Sequence, residues 1–302
     1  MPDAIRLQNV CKTFGATRAV TDMDLAIPRG ALYGFIGPNG AGKTTTIRMI
    51  MSILFPDSGE LSVLGHTSAL HAKNRIGYLP EERGVYRKMR VGPFLQFMAR
   101  LKDVPEGEIT DRIRRGLARV GLGDAERKRC DDLSKGTQQK IQFLAAIIHQ
   151  PDLLILDEPF SGLDPVSSRG LREMVLEEHA RGATILFSTH VMPHAEQLCD
   201  HVVMINKGKK VLDDPVADIQ RRYDPRVIEF DPLDPHADLQ PLAAIPEVEQ
   251  IVRTDHGCNV VLRPGASAPS VIPRLAIAVP PARIEIARPT LEEVFVKLVA
   301  AA

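Results

Sequence analysis

The sequence predicts an α/β protein with a parallel central sheet, an inserted helical subdomain and a small C-terminal α+β domain. Short apolar strands alternate with helical segments over residues 31–79 and 153–212, and such continuous apolar strands are typical of a buried parallel sheet. Between about 90 and 150, apolar residues recur at helical spacing instead. Eleven of the 23 prolines fall in the last 80 residues, which indicates a separate unit. We predict domains at 1–222 and 223–302.

The composition is that of an ordinary globular protein. The 302 residues are 44% hydrophobic and 25% charged, and the formal net charge of zero gives no indication of a nucleic-acid partner. The four cysteines lack metal-ligand spacing and are predicted to be reduced thiols. No apolar run approaches the roughly 20 residues of a membrane-spanning helix, and the N-terminus lacks a signal peptide. We therefore expect a cytoplasmic chain that reaches a membrane only through a partner.

The N-terminal third is predicted to begin with two strands, 5–10 and 20–27, separated by Gly15. Phe14 lies at the tip of the loop between them. Considered without its context, a lone phenylalanine is expected to pack in the core. A third strand, 31–36, leads directly into a glycine-rich loop. A strand followed directly by a glycine-rich loop is the context that a phosphate-binding motif requires.

The loop GPNGAGKT at 37–44 fits the pattern G-x-x-x-x-G-K-[ST]. Its glycines let backbone N–H groups surround phosphate oxygens, Lys43 supplies a positive charge, and the Thr44 hydroxyl is expected to ligate Mg²⁺. The helix that follows favours an anion at its N-terminus. This strand–loop–helix context disfavours a chance glycine-rich turn. The residues predicted to bind ATP here are Gly37, Pro38, Asn39, Gly40, Ala41, Gly42, Lys43, Thr44 and Thr45.

The middle of the chain carries further strands and then the helical block. Strands are predicted at 60–64 and 75–79. Thr110 is expected to cap one helix of the block and Ser134 the next. The inward face of the helix after Ser134 is predicted to consist of Ile141, Leu144, Ala145 and Ile148.

Two later strands end in chemically distinctive residues. The apolar strand 153–156 runs into Asp157 and Glu158, and the strand 183–189 runs into His190. Between them, a helix is expected to start at Asp164 and Pro165. Together with the phosphate loop, the two carboxylates and the histidine predict that the protein binds and hydrolyses ATP.

The C-terminal domain is predicted to have the order β-α-β-β-α-β of a ferredoxin-like sandwich, followed by a last helix. It contains no catalytic constellation. The predicted elements are strand 226–231, helix 238–244, strand 247–254, strand 258–263, helix 268–278, strand 282–288 and helix 290–300.

Residues 4 to about 220 resemble the nucleotide-binding subunit of an ABC transporter. GPNGAGKTT matches the Walker A motif, LSKGT at 133–137 is a variant of the LSGGQ signature, and LLILDEP matches Walker B. SGLD matches the D-loop, and His190 matches the switch histidine. The segments YLPEERG, SKGTQQKIQ and PTLEEVF resemble the ABC-2 branch, which includes sodium and drug exporters. The resemblance implies a P-loop NTPase core.

The resemblance also implies roles for individual residues. Within one chain, Asp157 would hold Mg²⁺ through water, Glu158 would polarise the attacking water, and His190 would contact the γ-phosphate. Lys43 completes the catalytic set, and Phe14 matches the aromatic residue that stacks on adenine. Across a dimer interface, the signature residues of one subunit would bind the γ-phosphate held by the other. Those signature residues are Ser134, Lys135 and Gly136.

Three positions depart from the pattern of the family. Lys135 replaces a glycine of the signature and adds a cation near the phosphates, while Thr137 replaces its glutamine. Glu81 stands where the family has the Q-loop glutamine; its carboxylate can meet Mg²⁺ but cannot donate a hydrogen bond as an amide does. The alternative for Glu81 and Glu82 is a solvated turn.

The resemblance implies an ATPase subunit that drives an exporter through a separate integral-membrane permease, as a homodimer or with a paired ATPase subunit. Such a chain would lie at the inner face of the cell membrane. One alternative is a soluble ABC ATPase that acts on a cytosolic machine; such proteins usually carry two nucleotide domains or a coiled-coil insertion. A non-catalytic ATP-binding module is the other, and the intact Lys43, Asp157, Glu158 and His190 disfavour it.

Overall fold

The computed structural model describes residues 3–82, 84–86, 88–223, 226–254 and 257–300. The chain divides into two compact units, 1–216 and 217–302. This division falls six residues before the end of the predicted domain 1–222, whose boundary stays a prediction. No helix of the described residues is both long and apolar enough to cross a membrane.

The first unit contains two sheets. The smaller is antiparallel, with the order β2-β1-β4. Its strands are β1 (Asp3–Phe14), β2 (Thr17–Pro28) and β4 (Ser58–Val63). The larger has the order β5-β6-β7-β3-β8-β9 and is parallel except for the β8–β9 hairpin. Its strands are β3 (Leu32–Ile36), β5 (Ile76–Leu79), β6 (Leu153–Asp157), β7 (Thr184–Thr189), β8 (His201–Asn206) and β9 (Lys209–Pro215).

Helices follow the strands of the large sheet, and three of them form the inserted helical subdomain. The helices are α1 (Lys43–Ile50), α2 (Val91–Leu101), α3 (Glu106–Arg119), α4 (Lys135–Ile147), α5 (Pro165–Ala180), α6 (Met192–Leu198) and α7 (Val216–Arg222). The predicted caps at Ser134 and Asp164 are confirmed, since each side chain accepts a backbone N–H of its helix. The prediction that Thr110 caps a helix is wrong: α3 already begins at Glu106, where Pro105 precedes the first turn. The predicted inward face of α4 is buried.

The parallel strands bring three parts of the predicted site to one edge of the sheet. Every residue of β3, β6 and β7 is buried, as expected for central parallel strands. In the register of the sheet, Ile36 pairs with Thr189 and Asp157 pairs with Ser188. The phosphate loop, the two carboxylates and His190 therefore leave the sheet side by side at its carboxyl edge, where α/β proteins bind their ligands.

The second unit has the predicted ferredoxin-like arrangement. Its four strands are all antiparallel to their neighbours in the order β11-β12-β10-β13. The elements are β10 (Val227–Pro232), α8 (Gln240–Ala243), β11 (Val248–Arg253), β12 (Cys258–Leu262), α9 (Ala268–Ala278), β13 (Pro281–Ile286) and α10 (Leu291–Ala300). Alternate residues of β10 and β12 point into an apolar core that includes Phe230, Leu242 and Leu275.

Candidate functional site

The phosphate loop needs glycine at two positions for steric reasons. A Cβ added at Gly37 would lie 2.2 Å from the backbone oxygen of Ile205, and one added at Gly42 would lie 2.4 Å from that of Ala19. Gly42 also has a φ of 105°, in the left-handed region that favours glycine. These close approaches fix the loop against β8 and β2.

The turn between β8 and β9 is hydrogen-bonded to the phosphate loop. The N–H of Gly208 donates to the carbonyl of Ala41 at 2.9 Å, and the N–H of Thr21 donates to the carbonyl of Gly208 at 2.8 Å. This pair of bonds places the neighbouring Lys207 beside the loop.

Lys43 is buried and held by groups of its own chain. Its Nζ donates to the carbonyls of Gly37 at 2.7 Å and Pro38 at 3.2 Å, and it lies 3.7 Å from Oε1 of Glu158. Burial lowers the pKa of Lys43, whereas the charges of Glu158 and Asp157 oppose that shift. Its cation is therefore stabilised at present by loop carbonyls and one carboxylate.

Asp157 presents one free oxygen to the site. Its Oδ1 accepts hydrogen bonds from Ser188 Oγ at 2.5 Å and Thr44 Oγ1 at 3.5 Å. Its Oδ2 is buried and has no hydrogen-bond partner among the residues described. Burial raises the pKa of Asp157, and the bonds from Ser188 and Thr44 oppose the shift.

This arrangement fits Mg²⁺. The free carboxylate oxygen of Asp157 and the hydroxyl of Thr44 are hard oxygen donors on adjoining elements. Within the described chain, no group of three His, Cys, Asp or Glu side chains could hold a metal ion by itself. Phosphate and water oxygens would therefore supply the remaining ligands, as is usual for Mg²⁺.

Glu158 is held in a strained position. Its φ is 49°, uncommon for a residue other than glycine. Its backbone N–H donates to the carbonyl of Ser188 at 3.1 Å. Its carboxylate oxygens contact His190 Nδ1 at 2.9 Å and Thr189 Oγ1 at 3.3 Å, beside the contact with Lys43. Glu158 therefore contacts both Lys43 and His190, the two residues predicted to be catalytic together with it.

A cleft of about 560 Å³ opens over the phosphate loop. It brings together Glu81, Glu158 and seven loop residues from 39 to 45. Four more residues line it that the sequence did not indicate: Thr17, Arg18, Ala19 and Lys207. They follow from the register of β2 and from the docked turn, neither of which has a motif of its own.

Phe14 is not a core residue, because 48% of its surface is exposed. It lies at the end of β1 opposite Thr17, which lines the cleft, although Phe14 itself does not. The Nζ of Lys12 lies 5.6 Å from the ring centroid. The half-exposed ring therefore stands at the margin of the cleft.

The signature residues lie apart from this cleft, and none of them lines it in the part of the chain that the structure describes. Ser134 and Lys135 are exposed at the start of α4, where Ser134 Oγ accepts the N–H of Thr137 at 3.3 Å. A Cβ at Gly136 would lie 2.5 Å from Ser167 Oγ, so this glycine allows α4 to approach α5 closely.

Comparisons with known proteins agree with this geometry. Residues 20–161 match the ABC transporter family, and residues 215–299 match the C-terminal domain of DrrA1-3-like ATP-binding proteins. The uncharacterized ABC transporter ATP-binding protein YhaQ of Bacillus subtilis is 46% identical over 72% of this chain and 74% of its own. The bacitracin transport ATP-binding protein BcrA of Enterococcus faecalis is 33% identical over 76% of this chain and 75% of its own.

A solved structure, an ATP-binding subunit of an ABC transporter, superposes with a TM-score of 0.67 at 30% identity. It covers 73% of this chain and 93% of the other. The predicted P-loop NTPase core and the predicted family are thus confirmed. The chain belongs to the ATP-binding subunits of ABC transporters, and it is an ATPase.

Proposed function

We propose that this subunit powers export through a separate membrane permease, and that two copies enclose two ATP molecules between them. The observation that carries the proposal is the split site. The cleft is lined by residues 39–45 of the phosphate loop and by Glu81 and Glu158, while the exposed signature residues Ser134 and Lys135 lie elsewhere on the same chain. The name of the bacitracin transport relative favours transport over the alternative, a soluble ATPase of a cytosolic machine.

The roles proposed for the cleft residues follow from their contacts. Glu158 orients the attacking water and accepts a hydrogen bond from it, with His190 and Thr189 fixing its carboxylate. The water attacks the γ-phosphorus, the bond to the β–γ bridging oxygen breaks, and ADP and phosphate are formed. In a loose phosphoryl transition state, this positioning matters more than complete proton abstraction.

Charge neutralisation is the second part of the mechanism. Lys43 would exchange its carbonyl partners, Gly37 and Pro38, for phosphate oxygens, which are stronger acceptors for an ammonium group. Asp157 and Thr44 would hold Mg²⁺, with Glu81 at the same cleft. When bound, Mg²⁺ neutralises charge on the β- and γ-phosphate oxygens.

The signature would act on the opposing copy. The start of α4 presents Ser134 together with the backbone N–H groups of its first turn and the positive end of the helix dipole. An exposed γ-phosphate held by another copy would accept hydrogen bonds from these groups, and ADP lacks that phosphate. Hydrolysis would therefore open the dimer and change the conformation of a bound permease.

The test mixes two inactive variants, Lys43→Ala and Ser134→Arg. A mixed dimer has one site with both defects and one with neither, so mixing should restore part of the ATPase activity. Size-exclusion chromatography of differently tagged chains checks that heterodimers form. Heterodimers without recovered activity would contradict independent sites shared between copies, and a fully active Ser134→Arg would remove the role of the signature.

The proposed location is the inner face of the cell membrane, through the permease. The measurement is co-purification of the chain from detergent-solubilised membranes of cells that produce it. We expect an integral-membrane protein in stoichiometric amount. Recovery of the chain with a cytosolic assembly instead would support the alternative.

A further inference from the structure

Two buried glutamines extend from one face of α4 towards the segments that carry the cleft carboxylates. Gln139 is 4% exposed and Gln142 is 6% exposed. Because they are three residues apart on a helix, their side chains leave the same face. Amides are rarely buried unless their hydrogen bonds matter, since burial of an unpaired polar group is costly.

Each glutamine donates to the backbone directly after a carboxylate residue. The Nε2 of Gln139 donates to the carbonyl of Pro159 at 3.1 Å, one residue after Glu158. The Nε2 of Gln142 donates to the carbonyl of Glu82 at 3.2 Å, one residue after Glu81. Glu81 and Glu158 both line the cleft. The same helix therefore contacts both acidic segments of the site.

The segment after Glu158 needs such support. Glu158 has a left-handed φ of 49°, a conformation that persists only where the surroundings hold it. Its N–H is bound by Ser188, and the ring of Phe160 packs at 5.4 Å on that of Phe187. The bond from Gln139 to the carbonyl of Pro159 ties this turn to α4.

We propose that Gln139 and Gln142 are positioning residues that hold Glu158 and Glu81 in register with the start of α4. The helix that begins at Ser134 would thus align both acidic segments when the signature meets a γ-phosphate. This inference rests on the proposed role of Glu158 and adds to it the residues that set its position. A displacement of about 1 Å at a reacting group can cost roughly a hundredfold in rate.

The experiment replaces each glutamine by methionine in the full chain, which keeps the length of the side chain and removes the donor. We expect Gln139→Met to lower kcat roughly tenfold or more while the Kd for ATP stays at the wild-type value. Gln142→Met should lower kcat by a smaller factor. Amide hydrogen exchange in nucleotide-free protein should rise at 158–163 in the first variant and around Glu82 in the second.

Gln138→Met is the matched control. Gln138 lies on the same helix and donates to the carbonyls of Cys130 and Leu133, both at 3.0 Å, which belong to neither acidic segment. It should leave amide hydrogen exchange at 158–163 and around Glu82 at the wild-type values. Equal rises of exchange at both acidic segments in all three variants would assign the effect to the helix as a whole and overturn the proposal, as would a lower Tm with unchanged kcat per folded molecule in Gln139→Met.

Glu158→Gln serves as the reference for the proposed function. If it abolishes turnover while Gln139→Met keeps wild-type kcat, the positioning role alone is overturned. If Glu158→Gln itself turns over at the wild-type rate, the hydrolytic role of Glu158 fails, and the positioning proposal fails with it.

Discussion

The two compact units differ in what they bury. All buried polar and charged side chains found among the described residues lie between Lys43 and Thr189, in the first unit. They are Lys43, Thr46, Gln139, Gln142, Asp157, Glu158, Glu178, Thr184, Ser188 and Thr189. The core of the second unit contains apolar residues and one cysteine, Cys258. Within the described residues, every buried polar or charged side chain therefore belongs to the unit with the phosphate loop.

The difference has an energetic meaning. Burial of an unpaired polar group costs on the order of 1–3 kcal/mol. A protein that buries many polar side chains therefore either gives them hydrogen-bond partners or retains them for a function. In the first unit, Lys43 and Glu158 line the cleft, Thr189 hydrogen-bonds to Glu158, and Asp157 hydrogen-bonds to Ser188 and to the cleft residue Thr44. The core of the second unit buries apolar side chains and Cys258 instead, as stability alone requires.

The largest expected effect comes from Glu158. The substitution Glu158→Gln keeps the shape of the side chain but removes the charge, so we expect ATP binding to persist and kcat to fall at least about a hundredfold. The measurement is steady-state phosphate release beside nucleotide binding.

Glu178→Gln is the matched control for this prediction. Glu178 is equally buried but pairs with Arg119 at 3.2 Å and Arg181 at 2.9 Å, away from the cleft. It should lower Tm and leave kcat near the wild-type value. If both variants lose turnover alike, burial of a charge rather than its place at the cleft explains the loss.

The next effect is that of Phe14 at the margin of the cleft. Stacking of an aromatic ring on a base contributes roughly 1–3 kcal/mol in nucleic-acid sites, so Phe14→Ala should weaken ATP binding about tenfold. Phe55→Ala is the control, because this ring is 68% exposed and lies outside the cleft. Unchanged affinity in Phe14→Ala, measured by calorimetry, would argue that the ring does not meet the base.

Lys207 provides a smaller and sharper test. This exposed side chain lines the cleft on a turn bonded to Ala41, and it has no ion-pair partner among the residues described. An exposed cation near a phosphate contributes up to about 1 kcal/mol, so Lys207→Ala should weaken ATP binding about twofold to fivefold, and less at high salt. Lys209→Ala, two residues away and outside the cleft, should have no effect. Equal effects of both would indicate only the general charge of the hairpin.

The sequence predicted those parts of the site that lie in continuous motifs. The phosphate loop, the two carboxylates after β6 and the histidine after β7 could be placed because each follows its strand directly. Arg18 and Lys207 could not, since they reach the cleft through strand register and a docked turn. Gln139 and Gln142 read simply as polar residues of an amphipathic helix, because only the packed structure shows which backbone they meet.

The accuracy of the predicted helix starts depended on local capping signals in the sequence. The caps at Ser134 and Asp164 are side-chain bonds to the next turn and can be recognised from sequence. The start of α3 was missed because Thr110 looked like a cap, whereas Pro105 and the acidic first turn at Glu106 and Glu108 begin the helix earlier. Helix boundaries depend on such competition between neighbouring signals.

The smallest effect on ATP binding is expected from removal of the second unit, and this change tests the contrast between the two units directly. A chain that ends at Tyr223 retains every residue of the cleft and the whole of the signature, and loses the apolar core around Phe230. We expect it to fold and to bind ATP with the affinity of the full chain.

A complementary variant is Phe230→Ala in the full chain. Because this ring is fully buried, its removal should destabilise the second unit by about 3–5 kcal/mol and leave ATP affinity unchanged. Thermal unfolding would then show an earlier transition for the second unit, and titration with ATP would match the wild type. If either variant stays folded in the first unit yet binds ATP more weakly, the second unit contributes to the site, and the division between a chemical and an apolar unit does not hold.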